Sequence, residues 1–139
     1  MAKFDFRLEK LFEYRQLQEK WAKDEYLACM AKRIEGEDEV QRIYESRVEA
    51  GNITYSELDH RLSQEQFLSR LESEQRAVEA AVAVLEGEEE TARLKWIETK
   101  QNAEALEKLK QKAVEEWIVE ENRREQGELD EWAVMRRSA

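Results

Sequence analysis

The sequence predicts an all-α fold, a long antiparallel two-helix coiled-coil hairpin with its turn near residues 50–55. Three observations predict it. Proline is absent and glycine occurs four times in 139 residues, so little punctuates the chain. Charged residues make up 40%, in long stretches of Glu, Lys, Arg, Gln, Leu and Ala, the types that lose least on entering a helix. The one strong break is AGNITYSEL, residues 50–58. Low hydrophobicity alone would also allow disorder, but four Trp, four Tyr and four Phe argue against it.

The first helix is expected over residues 4–49. Phe4, Leu8, Leu11, Tyr14, Leu17 and Trp21 follow one another in steps of three and four, which places them on one helical face. The set resumes at Leu27, Met30 and Ile34, then at Val40, Tyr44 and Val48, and Phe12, Tyr26 and Ile43 widen it. The face is interrupted around Asp24 and Glu37, so this is no unbroken leucine zipper. Gly36 lies inside the helix, where it costs about 1 kcal/mol relative to alanine. At 1.5 Å rise per residue, a helix from 4 to 49 would run about 70 Å.

The turn is expected over 50–54. Gly51 and Asn52 both tolerate a left-handed backbone and signal a helix stop. Thr54 and Glu57 have the spacing of a capping box, which would open the second helix at 55. That helix is expected to reach 137. Leu58, Leu62, Phe67, Leu68, Leu71, Val78, Val82 and Leu85 mark its apolar face before EGEEE, residues 86–90. Leu94, Ile97, Leu106, Leu109, Ala113 and Trp117 resume it, and Leu129, Trp132 and Met135 finish it. A single hairpin spanning 1–139 would set residue 4 against roughly residue 101 and leave about thirty-five C-terminal residues projecting. A second bend at Gly87 would instead fold 92–137 back onto 4–49. Gly127, within REQGELDEWA, either relaxes the helix or lets another backbone approach.

The net charge of −10 is uneven. Residues 1–34 carry 8 basic and 6 acidic side chains (+2), residues 35–90 carry 5 and 16 (−11), and residues 91–139 carry 10 and 11 (−1). No basic footprint suggests a nucleic-acid partner. The acidic middle is a solvated helix face or a match for a basic partner. No apolar run approaches the roughly 20 residues of a membrane span, and MAKFDFRLEKLFEY lacks a signal core, so a cytoplasmic protein with no direct membrane insertion is expected. The single cysteine, Cys29, fits a reducing compartment.

Catalytic motifs are missing. No two glycines lie close enough for a phosphate loop, and His60 is the only histidine, so no His-centred triad or multi-histidine metal site can be built. Cys29 beside Met30 reads as a structural thiol rather than a nucleophile. The acidic clusters at 37–39 and 88–90 lack the turn geometry of a calcium site. The expectation is therefore no enzyme, no cofactor and no metal. The aromatic residues carry more information. Val40 and Tyr44 before the turn and Phe67, Leu71 and Val78 after it become neighbours in a hairpin. Either they form its seam, or Tyr44 and Phe67 lie partly outside it and make an apolar patch for a partner.

The start, MAKFDFRLEKLFEYR, resembles the N-terminus of the FliJ family. GNITYSEL followed by QEQFLSRLESEQ is similar to that family's turn and second-helix start, and EKLKQKAVEEWIVEENRREQGELDEWAVMRR to its C-terminal signature. The resemblance implies a non-enzymatic stalk and chaperone of the bacterial flagellar type III export apparatus. Its partners would be the hexameric export ATPase, the cytoplasmic domain of the export-gate membrane protein and other export chaperones, at the inner membrane beneath the flagellum. Carried onto this chain, the gate patch would be Val40, Tyr44, Phe67, Leu71 and Val78. The ATPase-facing end would comprise Leu8, Leu11, Arg124, Glu125, Leu129, Asp130, Glu131 and Trp132. The stalk of a virulence secretion system and a homo-oligomeric structural adaptor are the alternatives.

Overall fold

The computed structural model describes residues 3–138; of the span 1–139, residues 1, 2 and 139 lie outside the described ones. Two α-helices, α1 (Glu9–Gly51) and α2 (Leu58–Ser138), form an antiparallel helical hairpin, with no strand among the described residues. The chain divides into two compact units. One pairs the residues up to Lys20 with those from Glu98 onward, and the other comprises Trp21–Ile97 and holds the turn.

The helices meet along a heptad seam, in which positions three and four apart alternate along each helix. In the turn-bearing unit the α1 row runs Ala22, Tyr26, Cys29, Arg33, Gly36, Val40, Ile43, Arg47 and Ala50, all buried or half-buried. The α2 row answers with Leu68, Leu71, Gln75, Val78, Val82, Leu85, Glu89, Ala92 and Trp96. Tyr26 stacks on Trp96 with ring centroids 5.5 Å apart. In the other unit Leu8, Phe12, Arg15 and Glu19 share the seam with Ala103, Leu106, Lys110, Ala113 and Trp117.

This differs from the expected stripe. Leu11, Tyr14, Leu17, Trp21, Leu27, Ile34, Tyr44 and Val48 are all exposed, whereas Phe12, Ala22, Cys29 and Ile43 are buried. The seam takes the frame holding the smaller residues because close helix approach needs them. Gly36 shows the limit: a Cβ there would stand 2.8 Å from Val82 Cγ2. It is therefore the point where α2 presses on the α1 backbone, and not merely a weak spot.

Polar residues inside the seam fix its register. The Arg33 guanidinium forks onto Glu89, donating from Nε and, at 3.4 Å, from Nη2, and its Nη1 reaches Glu37 at 3.0 Å. Arg47 donates to Gln75 at 2.7 Å, and Lys110 to Glu9 at 3.0 Å. A slip of one heptad would break each pairing and strand half-buried charge.

The turn is built differently from expectation. No described residue has a positive φ, so Gly51 ends α1 in helical conformation and not in a left-handed cap. Asn52 N donates to Val48 O and Glu49 O at 3.1 and 3.3 Å. Gln64 meets two further carbonyls, its Nε2 donating to Ala50 O at 2.8 Å and Ile53 O at 2.7 Å. Arg61 Nε adds a bond to Tyr55 O at 2.8 Å. α2 opens at Leu58, with the Glu57 carbonyl accepting from Arg61 N, so Thr54 stays in the loop and does not cap the helix.

These details move the register. Residues 58–63 pass the loop before Gln64 meets Ala50. Residue 4 therefore meets residue 117 rather than 101: Phe4 packs edge-on against Trp117 at 5.8 Å. That contact also explains why α1 begins at Glu9 and not at residue 4, because residues 3–6 stay non-helical and carry Phe4 across to α2. The projecting segment is correspondingly shorter, with residues 122–138 all exposed. α2 continues unbroken through Gly87, so no second bend folds the chain back there.

Candidate functional site

The five residues of the expected gate patch separate into two groups. Val40, Leu71 and Val78 lie in the seam, with Leu71 buried. Tyr44 is 50% exposed and Phe67 39% exposed, and they line different hollows. Tyr44 shares one with Val48, Glu65 and Glu72. Phe67 borders the hollow of the turn with Ile53, Tyr55 and His60, where the Tyr55 and His60 rings meet edge-on at 5.8 Å. The Arg70 guanidinium sits 5.5 Å from the Phe67 ring, which keeps one face of that aromatic beside a cation. The turn thus presents an aromatic on a rigid frame, because Gln64 ties the loop to α2 one helical turn before Phe67.

At the other end Leu8 belongs to the seam and Leu11 is exposed. Arg124, Glu125, Leu129, Asp130, Glu131 and Trp132 all fall in the exposed segment after Glu121. Residues 4–12 pair with 110–117, and this segment does not pair with them. It is organised by bonds along its own helix. Arg124 pairs with Glu121 at 3.1 Å and Gln126 donates to Asp130 at 3.1 Å. The Arg136 guanidinium lies 5.1 Å from the Trp132 ring. Leu129, Trp132, Val134 and Met135 are each at least 60% exposed. No atom approaches the Cβ position of Gly127 within 4 Å, so that glycine admits no other backbone here.

The shifted groups belong to polar contacts along and between the helices. The hydrogen bonds it donates to Glu89 and then to Glu37 hold the Arg33 guanidinium protonated even more firmly than usual. Burial, then the charge of Glu25, pushes the Cys29 thiol up, which suppresses the thiolate a nucleophile needs. Arg93 draws the Glu90 carboxyl down through its bidentate contact at 2.6 and 2.8 Å. No group of three His, Cys, Asp or Glu among the described residues could hold a metal ion. No described helix is long and apolar enough to cross a membrane.

Three features escaped the sequence reading: the Gln64 clamp, the Gly36–Val82 contact and the Arg33–Glu89 fork. The heptad frame through Phe12, Tyr26 and Ile43 would have found the last two, since it places Gly36 and Arg33 inside the seam. The clamp leaves no sequence signal beyond an amide two turns into α2.

No curated protein and no solved structure matches the chain. Its sequence does match the family described as Flagellar FliJ protein, over residues 4–139. That match covers both helices and the turn, and the chain belongs to the FliJ family, a component of flagellar type III protein export.

Proposed function

We propose that the chain is a non-enzymatic stalk and chaperone of the export apparatus, working in the cytoplasm against the inner membrane at the flagellar base. Its C-terminal helical segment enters the ring of the hexameric export ATPase, and the turn region contacts the cytoplasmic domain of the export gate. Other export chaperones are escorted by the same chain. The observation that carries this reading is the segment 122–138, a helix that is exposed throughout and still displays Leu129, Trp132, Val134 and Met135. Helical surface of that kind suits a groove or ring lumen. Two arginine pairs, Arg123–Arg124 and Arg136–Arg137, flank the acidic residues Glu125, Glu128, Asp130 and Glu131, and such mixed, exposed charge suits contacts that form and release.

The test measures turnover and hexamer assembly of the export ATPase with and without the chain. Stimulation is expected, and it should fall several-fold with Leu129→Ser and Trp132→Ala, both exposed and so neutral to folding. Unchanged turnover and assembly on adding the chain would sink the ring assignment. For the gate, Phe67→Ala and Tyr44→Ala should weaken capture of the gate's cytoplasmic domain while helicity by circular dichroism holds. Binding that survives both substitutions removes the turn region from the interface. The family match is to a flagellar protein, which favours this reading over a virulence stalk or a generic adaptor.

A further inference from the structure

α1 carries two heptad frames in the turn-bearing unit, and α2 fills only one. The second runs through residues 27, 30, 34, 37, 41, 44 and 48, again in steps of three and four. Five of these positions are apolar: Leu27, Met30, Ile34, Tyr44 and Val48. Leu27, Ile34, Tyr44 and Val48 are 44–50% exposed, and Met30 is half-buried. A helix with two such frames is the arrangement needed to hold a neighbour on each side, and a lone exposed leucine would carry no such meaning.

The flank of this stripe is predominantly acidic over the length from Tyr44 to Ile34. Glu65, Glu72, Glu79 and Glu86 recur every seven residues along α2, all exposed. Heptad spacing keeps them in one row. Tyr44, Val48, Glu65 and Glu72 line a single hollow, which sets that row beside the apolar stripe. Two cations lie nearby: Arg47 lines the same hollow but donates to Gln75 at 2.7 Å, and Arg76 approaches Glu72 at 3.7 Å. The stripe itself is interrupted by Glu37 and Gln41, an acid and an amide. Apolar side chains beside a glutamate row describe the complement of one ligand class, a helix with an apolar seam and lysines or arginines along one edge.

We infer that Leu27, Met30, Ile34, Tyr44 and Val48, with the glutamate row of α2, form a docking groove for a basic amphipathic helix of another protein, converting this helix pair locally into a three-helix bundle. Apolar contacts supply the affinity and the lysine-to-glutamate ladder sets direction and register. Glu37 and Gln41 select a cation or donor at the middle of the incoming seam. The groove shares only Tyr44 with the proposed gate patch and stands whether or not the gate binds there.

The experiment uses the full chain and a labelled synthetic helix of three heptads, with leucines on its seam and lysines along one edge. Fluorescence anisotropy reads binding. Saturable binding is expected, weakening at least about tenfold when the peptide's lysines become glutamates. Ile34→Ser, and separately Glu72→Lys combined with Glu79→Lys, should each weaken it by about tenfold, a change of about 1.4 kcal/mol. Val84→Ser should leave binding unchanged, because Val84 is exposed on a hollow with Cys29 and Glu25. Leu27→Ser repeats the test should Ile34→Ser lower helicity. Failure to saturate, or equal binding of the lysine and glutamate peptides, overturns the groove. So does binding indifferent to Ile34 and Leu27, which would mark a diffuse attraction to an acidic protein. Sedimentation showing a dimer that Ile34→Ser dissolves would assign the stripe to a second copy of the chain and overturn the basic-helix occupant.

Discussion

Gly36→Ala separates the packing reading of the seam from plain helix propensity. In an exposed helix interior, alanine for glycine adds about 1 kcal/mol of stability. At Gly36 the added methyl would lie 2.8 Å from Val82 Cγ2 and 3.6 Å from Leu85 Cδ1. The first distance is well inside van der Waals contact. Val82 cannot swing away cheaply, since it is buried and β-branched, with one favoured rotamer in a helix. Overpacking of this kind costs about 1–3 kcal/mol, so the propensity gain is cancelled or reversed. Gly87→Ala and Gly127→Ala are internal controls, because both sites are open and helical. Each should gain up to about 1 kcal/mol. Urea unfolding followed by circular dichroism measures all three. In a Val82→Ala background the Gly36→Ala change should turn stabilising, a coupling of about 1–3 kcal/mol. If Gly36→Ala stabilises the native chain as much as the two controls, with coupling below about 0.5 kcal/mol, the close approach of α2 at Gly36 is refuted.

Other perturbations probe the polar devices and the thiol. Gln64→Glu replaces a double donor with an acceptor facing two carbonyls, so it should cost about 1–3 kcal/mol in urea unfolding and slow refolding in stopped-flow traces; an unchanged refolding rate would deny the clamp an early role. Arg33→Met should destabilise the chain by about 1–3 kcal/mol, and adding Glu89→Leu should recover most of the loss, because the first change leaves a half-buried carboxylate unmatched. Recovery absent in the double variant would mean that the fork supplies net stability of its own. Cys29 should alkylate far more slowly in the folded chain than in urea at mildly alkaline pH, since its raised pKa keeps it as thiol there; Glu25→Gln should speed the reaction, and indifference to Glu25 would leave burial as the whole cause.

The hairpin was legible because its signals are one-dimensional. Helix formers, missing proline and a single Gly-Asn break need no knowledge of what touches what. The choice of seam was not legible in the same way, because α1 offers two overlapping apolar frames. Weighting by bulk selects Leu11, Tyr14, Leu17 and Trp21, which are exposed, over Phe12, Ala22 and Cys29, which are buried. Packing weighs closeness of approach as well as bulk, and Ala22, Cys29 and Gly36 permit it. The register error has a similar origin. Counting symmetrically from Gly51 ignores residues 58–63, which pass the loop before the first seam contact, and only Gln64 reveals where pairing begins. Of the candidate site residues, the sequence separated those at the turn from those at the termini. It left open whether Tyr44 and Phe67, which are exposed, share the seam with Leu71, which is buried.

The Gln64 clamp also bears on how the turn-bearing unit assembles. Its bond to Ala50 closes a loop of 14 residues, Arg47 to Gln75 spans 28, and Arg33 to Glu89 spans 56. Each doubling of a free loop adds only about 0.6 kcal/mol of closure entropy, and a loop already shortened by the previous contact adds less. Pairing that starts at the clamp can therefore close like a zip, each contact bringing the next within reach. Pairing that starts at Arg33 and Glu89 must close the whole 56-residue span before anything holds it.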